Sequence, residues 1–185
     1  WKDQIVRGRI SRREFMGRAA ALGVTTALAT SMLSKAGVAD EAKPGGHFRI
    51  GIGHGSTTDT LDPATWENGF NGDFFQTFGD ALVSIDQKTN VVPNLAESFE
   101  PSDDAKSWVY KLRKDVTFHN GKTLTSDDVV ATYNYHRGPD SKSAVKSVLA
   151  EITDIKTDGP DTVIFTLANG SADFPYITSD YHLPI

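Results

Sequence analysis

No cysteine occurs among the 185 residues. That absence removes thiol catalysis, disulfide bonds and cysteine-ligated metal sites together, while leaving the compartment open. No apolar run reaches the roughly 20 residues that a membrane-spanning helix needs. Ala19–Leu33 is mildly apolar, but it is only fifteen residues long and is diluted by Thr, Gly and Ser. The five histidines (His47, His54, His119, His136, His182) include no H-E-x-x-H pair or other zinc-ligand spacing. A G-x-S-x-G elbow, a G-x-G-x-x-G loop and a G-x-x-x-x-G-K loop are all missing, and Gly51-Ile52-Gly53-His54-Gly55 fits neither phosphate motif. We therefore expect no metal, no cofactor and no catalytic residues. Internal repeats and low-complexity tracts are absent as well. Basic charge is scarce over most of the chain. Residues 1–39 hold seven of the 19 Lys and Arg but two of the 24 Asp and Glu, a net +5, and the remainder carries −10. An acidic body argues against a nucleic-acid partner, whose phosphates need a basic face.

What is present begins with that basic segment. Arg7, Arg9, Arg12 and Arg13 precede the short apolar run, and Gly37-Val38-Ala39 offers small residues at its exit. Ser11-Arg12-Arg13-Glu14-Phe15-Met16 resembles a twin-arginine export signal, carried by Arg12, Arg13 and Phe15. The resemblance implies a signal peptide over residues 1–39, cleavage after Ala39, the twin-arginine translocase as a partner during export and a periplasmic location. An uncleaved signal would instead leave the chain associated with the membrane. Two other readings of the same residues are an amphipathic surface helix and a basic arm for nucleic acid.

Residues 40–46 form a polar leader. His47–Gly53 alternates, with Phe48, Ile50 and Ile52 on one side, and predicts a first strand. The long polar loop His54–Gly72 follows. Phe74, Phe75, Phe78 and Leu82 predict a helix over residues 71–82. Strands are expected at Leu82–Asp86 and Val91–Val92. Pro93 and Asn94 open a helical turn that Pro101 closes. Trp108, Tyr110 and Leu112 share one side of a half-buried strand over Ser107–Arg113. Val116–Phe118 reads as a further short strand before the Asn120-Gly121 turn. Thr125, with Asp128 as capping-box partner, starts a helix bearing Val129, Val130, Tyr133 and Arg137. Glu151–Lys156 and Thr162–Leu167 form a hairpin about Asp158-Gly159-Pro160-Asp161. A helical turn is expected at Phe174-Pro175-Tyr176. Trp108, Tyr110, Phe118 and Tyr133 are the expected centre of the core.

Three segments stand in a fixed order: Pro93-Asn94-Leu95-Ala96-Glu97-Ser98-Phe99, Leu112-Arg113-Lys114-Asp115-Val116-Thr117-Phe118-His119-Asn120-Gly121, and Asp127-Asp128-Val129. Together with Leu61-Asp62-Pro63-Ala64 they resemble the signature of the family 5 extracellular solute-binding proteins, the peptide-, dipeptide- and nickel-type receptors of bacterial ABC importers. The resemblance runs from about Phe48 to Ile185. It departs at Phe99, where the family usually has Trp, and at Asp80-Ala81-Leu82, where Glu-Gly-Leu is common.

The resemblance implies an α/β, periplasmic binding protein-like fold (class II, large family 5 type). Residues 47–185 would be its N-terminal part only, the start of lobe I plus its small α+β subdomain, in a chain truncated at the C-terminus. It further implies a non-enzymatic substrate-binding component that captures a small solute between two lobes and delivers it to an ABC permease and ATPase complex. Peptide is the first candidate ligand, and a nickel complex, an opine and a sugar stay open. The acid that pairs a peptide's α-amino group would lie in the second lobe, beyond Ile185. The family places the loop after the first strand beside the cleft, which makes His54, Gly55, Ser56, Thr57 and Thr58 candidate ligand-binding residues. The alternative is that Ser56–Asp62 satisfies only its own turns, as Ser, Thr and Asp commonly do. At the level of the whole protein, the alternative is an exported enzyme or cell-surface protein on the same scaffold.

Overall fold

A computed structural model describes residues 10–34 and 45–185. Arg7, Arg9 and the expected cleavage region at Gly37-Val38-Ala39 lie outside the described residues. The chain divides into two compact units, Trp1–Ile50 and Gly51–Ile185.

In the first unit Ser11 caps α1 (Arg12–Ala21), its Oγ accepting the Glu14 N–H at 3.1 Å. This satisfies one of the donors that a helix start leaves without an intrahelical partner. Glu14 pairs with Arg18 one turn on. Gly23, at φ +72°, turns the chain toward α2 (Thr26–Ser34), a conformation that costs glycine little. Ile10, Phe15, Ala19 and Ala29 then share a small buried cluster. Phe15 faces this cluster, whereas Arg13 is exposed. No helix among the described residues is long and apolar enough to cross a membrane.

The strand expected at His47–Gly53 does not form: Phe48 is 89% exposed and Ile50 58%. Alternation makes a strand only where a neighbouring strand takes its hydrogen bonds, and none of the described strands pairs with this segment.

The second unit is built on a four-stranded antiparallel sheet in the order β3-β4-β6-β5. Its strands are β3 (Ala96–Pro101), β4 (Ser107–Leu112), β5 (Ile152–Thr157) and β6 (Thr162–Leu167). A smaller antiparallel pair, β1 (Val83–Ile85) and β2 (Val91–Pro93), precedes it. The period of two in β4 is realised, with Trp108, Tyr110 and Leu112 buried on one face. Val163, Phe165 and Leu167 of β6 alternate likewise, and Trp108 lies opposite Phe165 in register. The expected hairpin is the β5–β6 pair, turning through Gly159 at φ +76°.

The helical turn expected between Pro93 and Pro101 does not form: Pro93 ends β2 and Ala96–Pro101 is β3. Ala96 donates its N–H to Leu82 O at 2.8 Å, and the Leu95 carbonyl accepts from Arg113 N–H at 2.8 Å. Phe99 stacks on Tyr110, ring centroids 5.8 Å apart. A helical turn here would give up these ladder bonds and withdraw Phe99 from the aromatic face, so tertiary pairing overrides local propensity.

α4 (Ser126–Arg137) lies on the buried face of the sheet through Val129 and Tyr133. Its start is the expected capping box: the Asp128 carboxylate accepts from Thr125 N–H at 3.0 Å and from Thr125 Oγ1–H at 2.9 Å. Tyr133 meets Phe165 edge to face at 4.8 Å. α5 (Phe174–Ile177) closes the same face, with Phe174 against Trp108, Tyr110 and Phe165. Phe118, expected in the centre, is only partly buried. The expected strand at Val116–Phe118 is a single bridge, Thr117 to Thr123, around Gly121 at φ +83°.

Candidate functional site

The loop that leaves Gly53 is folded on itself by its own polar groups. His54 sits at φ +66°, uncommon for a residue with a side chain. Ser56 N–H donates to Asp59 Oδ2 at 2.6 Å, Ser56 Oγ lies 2.9 Å from Thr58 Oγ1, and Asn68 Nδ2 donates to Asp59 Oδ1 at 2.8 Å. Asp62 caps the 3₁₀ turn Pro63–Thr65 by accepting the Ala64 N–H at 2.9 Å. These are the self-contained turn bonds that Ser, Thr and Asp make well. They coexist with exposure: His54, Gly55, Ser56, Thr57 and Thr58 all face outward from one continuous loop. The ring of Phe70 backs Gly55.

Trp66 anchors this loop to the rest of the unit. It is 1% exposed, stacked on Tyr181 at 6.4 Å and tilted against Phe75 at 6.2 Å. Its indole N–H donates to Thr60 O at 2.9 Å. The helix expected over residues 71–82 is shorter. α3 spans Gly69–Phe75; beyond it Thr77 and Phe78 donate to the carbonyls three residues back, of Phe74 and Phe75, and the Gly79 backbone packs onto the Phe75 ring. Phe75 and Leu82 are buried as expected, but Phe78 is 42% exposed.

A polar cluster lies under Trp66 that composition and spacing did not reveal. His182 is 6% exposed. Its Nδ1 is 2.6 Å from Asp180 Oδ1, and its Nε2 is 2.5 Å from the Trp66 carbonyl oxygen. Burial alone would lower this imidazole, but the bonds to Asp180 and to the Trp66 carbonyl reverse that and raise it above its ordinary value. Burial would likewise raise Asp180, yet the His182 hydrogen bonds outweigh it and hold the carboxyl below its usual range. His136, on α4, is lowered by burial and by the His182 charge, and its Nδ1 lies 2.7 Å from Ser143 Oγ. The Asp180-x-His182 spacing is visible in the sequence. Trp66 as its partner, 116 positions away, is not.

A separate cleft of about 220 Å³ lies between residues 78–80 and the 116–124 turn, lined by Phe78, Asp80, Leu95, Phe118, His119 and Ile185 among others. None of the five loop candidates lines it. Among the described residues, no group of three His, Cys, Asp or Glu side chains is placed to hold a metal ion.

Residues 90–185 match the family model for bacterial extracellular solute-binding proteins, family 5 Middle. The chain is 36% identical over 93 residues to the oligopeptide-binding protein AppA of Bacillus subtilis, an alignment covering 50% of this chain and 17% of that protein. It is 30% identical over 138 residues to the probable D,D-dipeptide-binding periplasmic protein DdpA of Escherichia coli, covering 68% of this chain and 25% of DdpA. Among solved structures, that of AgaA from A. tumefaciens R10 in complex with agropinic acid superposes with a TM-score of 0.65 at 30% identity, over 68% of this chain and 26% of AgaA. The chain thus spans about a quarter or less of the length of the curated relatives it matches.

Proposed function

This chain belongs to the bacterial extracellular solute-binding proteins of family 5, and on that premise we propose that it is part of the substrate-binding component of an ABC importer, with a peptide as its solute. The observation that carries the proposal is where the family match falls. Residues 90–185 span β2 to α5 and include Tyr181, which stacks on Trp66, and His182, which meets the Trp66 carbonyl. In this reading His54, Gly55, Ser56, Thr57 and Thr58 face the solute. Their outward placement on a loop whose turns are already satisfied supports this, because the loop can meet a ligand without first reorganising. Peptide is favoured over other solutes by the peptide-binding names of AppA and DdpA. AgaA, with agropinic acid bound, makes an opine the second choice.

The rest of the proposal follows from that role. The whole protein holds its ligand between two lobes, closes on it and docks on a permease and its ATPase. Residues 1–39 act as a twin-arginine signal, with Arg12, Arg13 and Phe15 read by the translocase, and residues 47–185 begin the mature domain in the periplasm. The motif Ser11–Met16, the +5 charge of this segment and the acidic body support that division.

A thermal-unfolding screen of the full-length protein tests the function. Di- to pentapeptides, opines, nickel chelates and oligosaccharides are each added in excess. A ligand of the folded form stabilises by RT ln(1 + [L]/Kd), about 2.7 kcal/mol at a hundredfold excess over Kd. A raised midpoint with peptides is expected. A rise confined to another class corrects the solute, and no rise with any class contradicts solute binding.

A further inference from the structure

We propose that His182 is a positioning residue for the solute-facing loop, clamped as an imidazolium between Asp180 and the Trp66 carbonyl so that it fixes Trp66 and, through the indole N–H, Thr60. The inference deepens the reading of that loop and rests on it. It starts from proton bookkeeping. A backbone carbonyl oxygen has no proton to give, so the 2.5 Å approach of Nε2 to Trp66 O requires a hydrogen on Nε2. An ionised carboxylate also only accepts, so the 2.6 Å approach of Nδ1 to Asp180 Oδ1 requires a hydrogen on Nδ1. Only the doubly protonated ring satisfies both. Either neutral tautomer leaves one nitrogen lone pair aimed at an acceptor, in a place that water scarcely reaches.

The clamp connects three parts of the unit. Asp180 and His182 follow α5, Trp66 follows the 3₁₀ turn, and Thr60 belongs to the loop six residues before Trp66. Trp66 is therefore held at both ends, by its carbonyl and by its indole N–H. Releasing the carbonyl loosens the loop without touching the five exposed residues themselves.

The surrounding charges bound the pH range. From α4, His136 and Tyr133 face the cluster: His136 interacts with His182, Asp180 and Asp62, and Tyr133 interacts with Asp180. From the loop side come Asp62 and Glu67, the latter beside Tyr181. His182 is raised in the folded state, so its stabilising contribution is complete below its ordinary value of 6.5 and is lost as pH rises through the raised value. His136 is lowered, so its contribution is present above 6.5 and is lost as pH falls through the lowered value, when a second positive ring would repel His182. The clamp is thus tightest between the two histidine titrations.

The test is an NMR titration of the ligand-free full-length protein with isotope-labelled histidine and tryptophan, so it stands apart from whether any solute is found. The His182 ring is expected to titrate above 6.5 and the His136 ring below it. The Trp66 indole N–H resonance should move with the His182 midpoint, and His182→Gln should abolish that movement. Asp180→Asn, which leaves the Trp66 contact in place, should lower the His182 midpoint; it also serves if His182→Gln does not fold. A His182 midpoint at or below 6.5, an unchanged midpoint in Asp180→Asn, or a Trp66 indole resonance indifferent to the His182 titration overturns the proposal.

Discussion

Trp108→Ala lowers the unfolding free energy by about 3–5 kcal/mol. Trp108 is 5% exposed on the inner face of β4, between Phe99 and Phe174, with centroids 6.5 and 6.3 Å away. Truncation removes the transfer energy of a large ring and leaves a cavity whose walls are set by two strands and α5. Those walls cannot collapse far, which places the cost in the range seen for buried large-to-small changes. The indole also donates to Ser171 O at 3.1 Å, so alanine leaves that carbonyl without its partner. Trp108→Phe keeps much of the packing and loses mainly the hydrogen bond, so its cost is smaller. Denaturant unfolding of the two variants measures the difference. An unchanged midpoint for Trp108→Ala would refute the packing account.

Gly170→Ala is the second large effect, and it arises from backbone rather than from a side chain. A Cβ at Gly170 would overlap the Asp104 carbonyl oxygen. Neither strand of chain can retreat easily. Ser171 N–H donates to Ala105 O at 3.1 Å, Leu167 N–H donates to Lys106 O at 2.8 Å, and Ala105 is already at φ +51° within the Ser102–Lys106 turn. Separating them opens the β3–β4 turn and disturbs the Ser171 carbonyl that receives Trp108. An overpacking cost of about 1–3 kcal/mol is expected. Gly51→Ala, where an added Cβ meets nothing within 4 Å, is the control and should stay within about 0.5 kcal/mol of the parent. Equal midpoints for the two variants would contradict the close approach.

The parts of the fold that the sequence made legible are those fixed by local pattern. The alternation of Trp108, Tyr110 and Leu112, the Thr125–Asp128 capping box and the Gly159 hairpin each depend on neighbours a few residues away. The misreadings are segments whose state is decided at a distance. Leu95–Phe99 carries proline signals for a helix, yet its backbone is claimed by Leu82 on one side and Arg113 on the other. Phe48, Ile50 and Ile52 alternate properly, but none of the described strands pairs with them. Phe78 continues the period of Phe74 but lies in the turn beyond the end of α3 at Phe75. The same division holds at the site. The composition of Ser56–Asp62 foretells a self-bonded loop, whereas the Trp66–His182 clamp joins residues that no local pattern relates.

Amide hydrogen exchange on the full-length protein, with and without the tightest ligand from the screen, bears most directly on the claim that this sheet unit presents the loop at residues 54–62 to a solute. Amides inside β4 and β6, already buried in the sheet, should exchange slowly in both states. Those of residues 54–62 should slow on binding and recover when the ligand is removed. A ligand that raises the unfolding midpoint while leaving exchange at residues 54–62 unchanged would contradict the account and move the binding surface elsewhere.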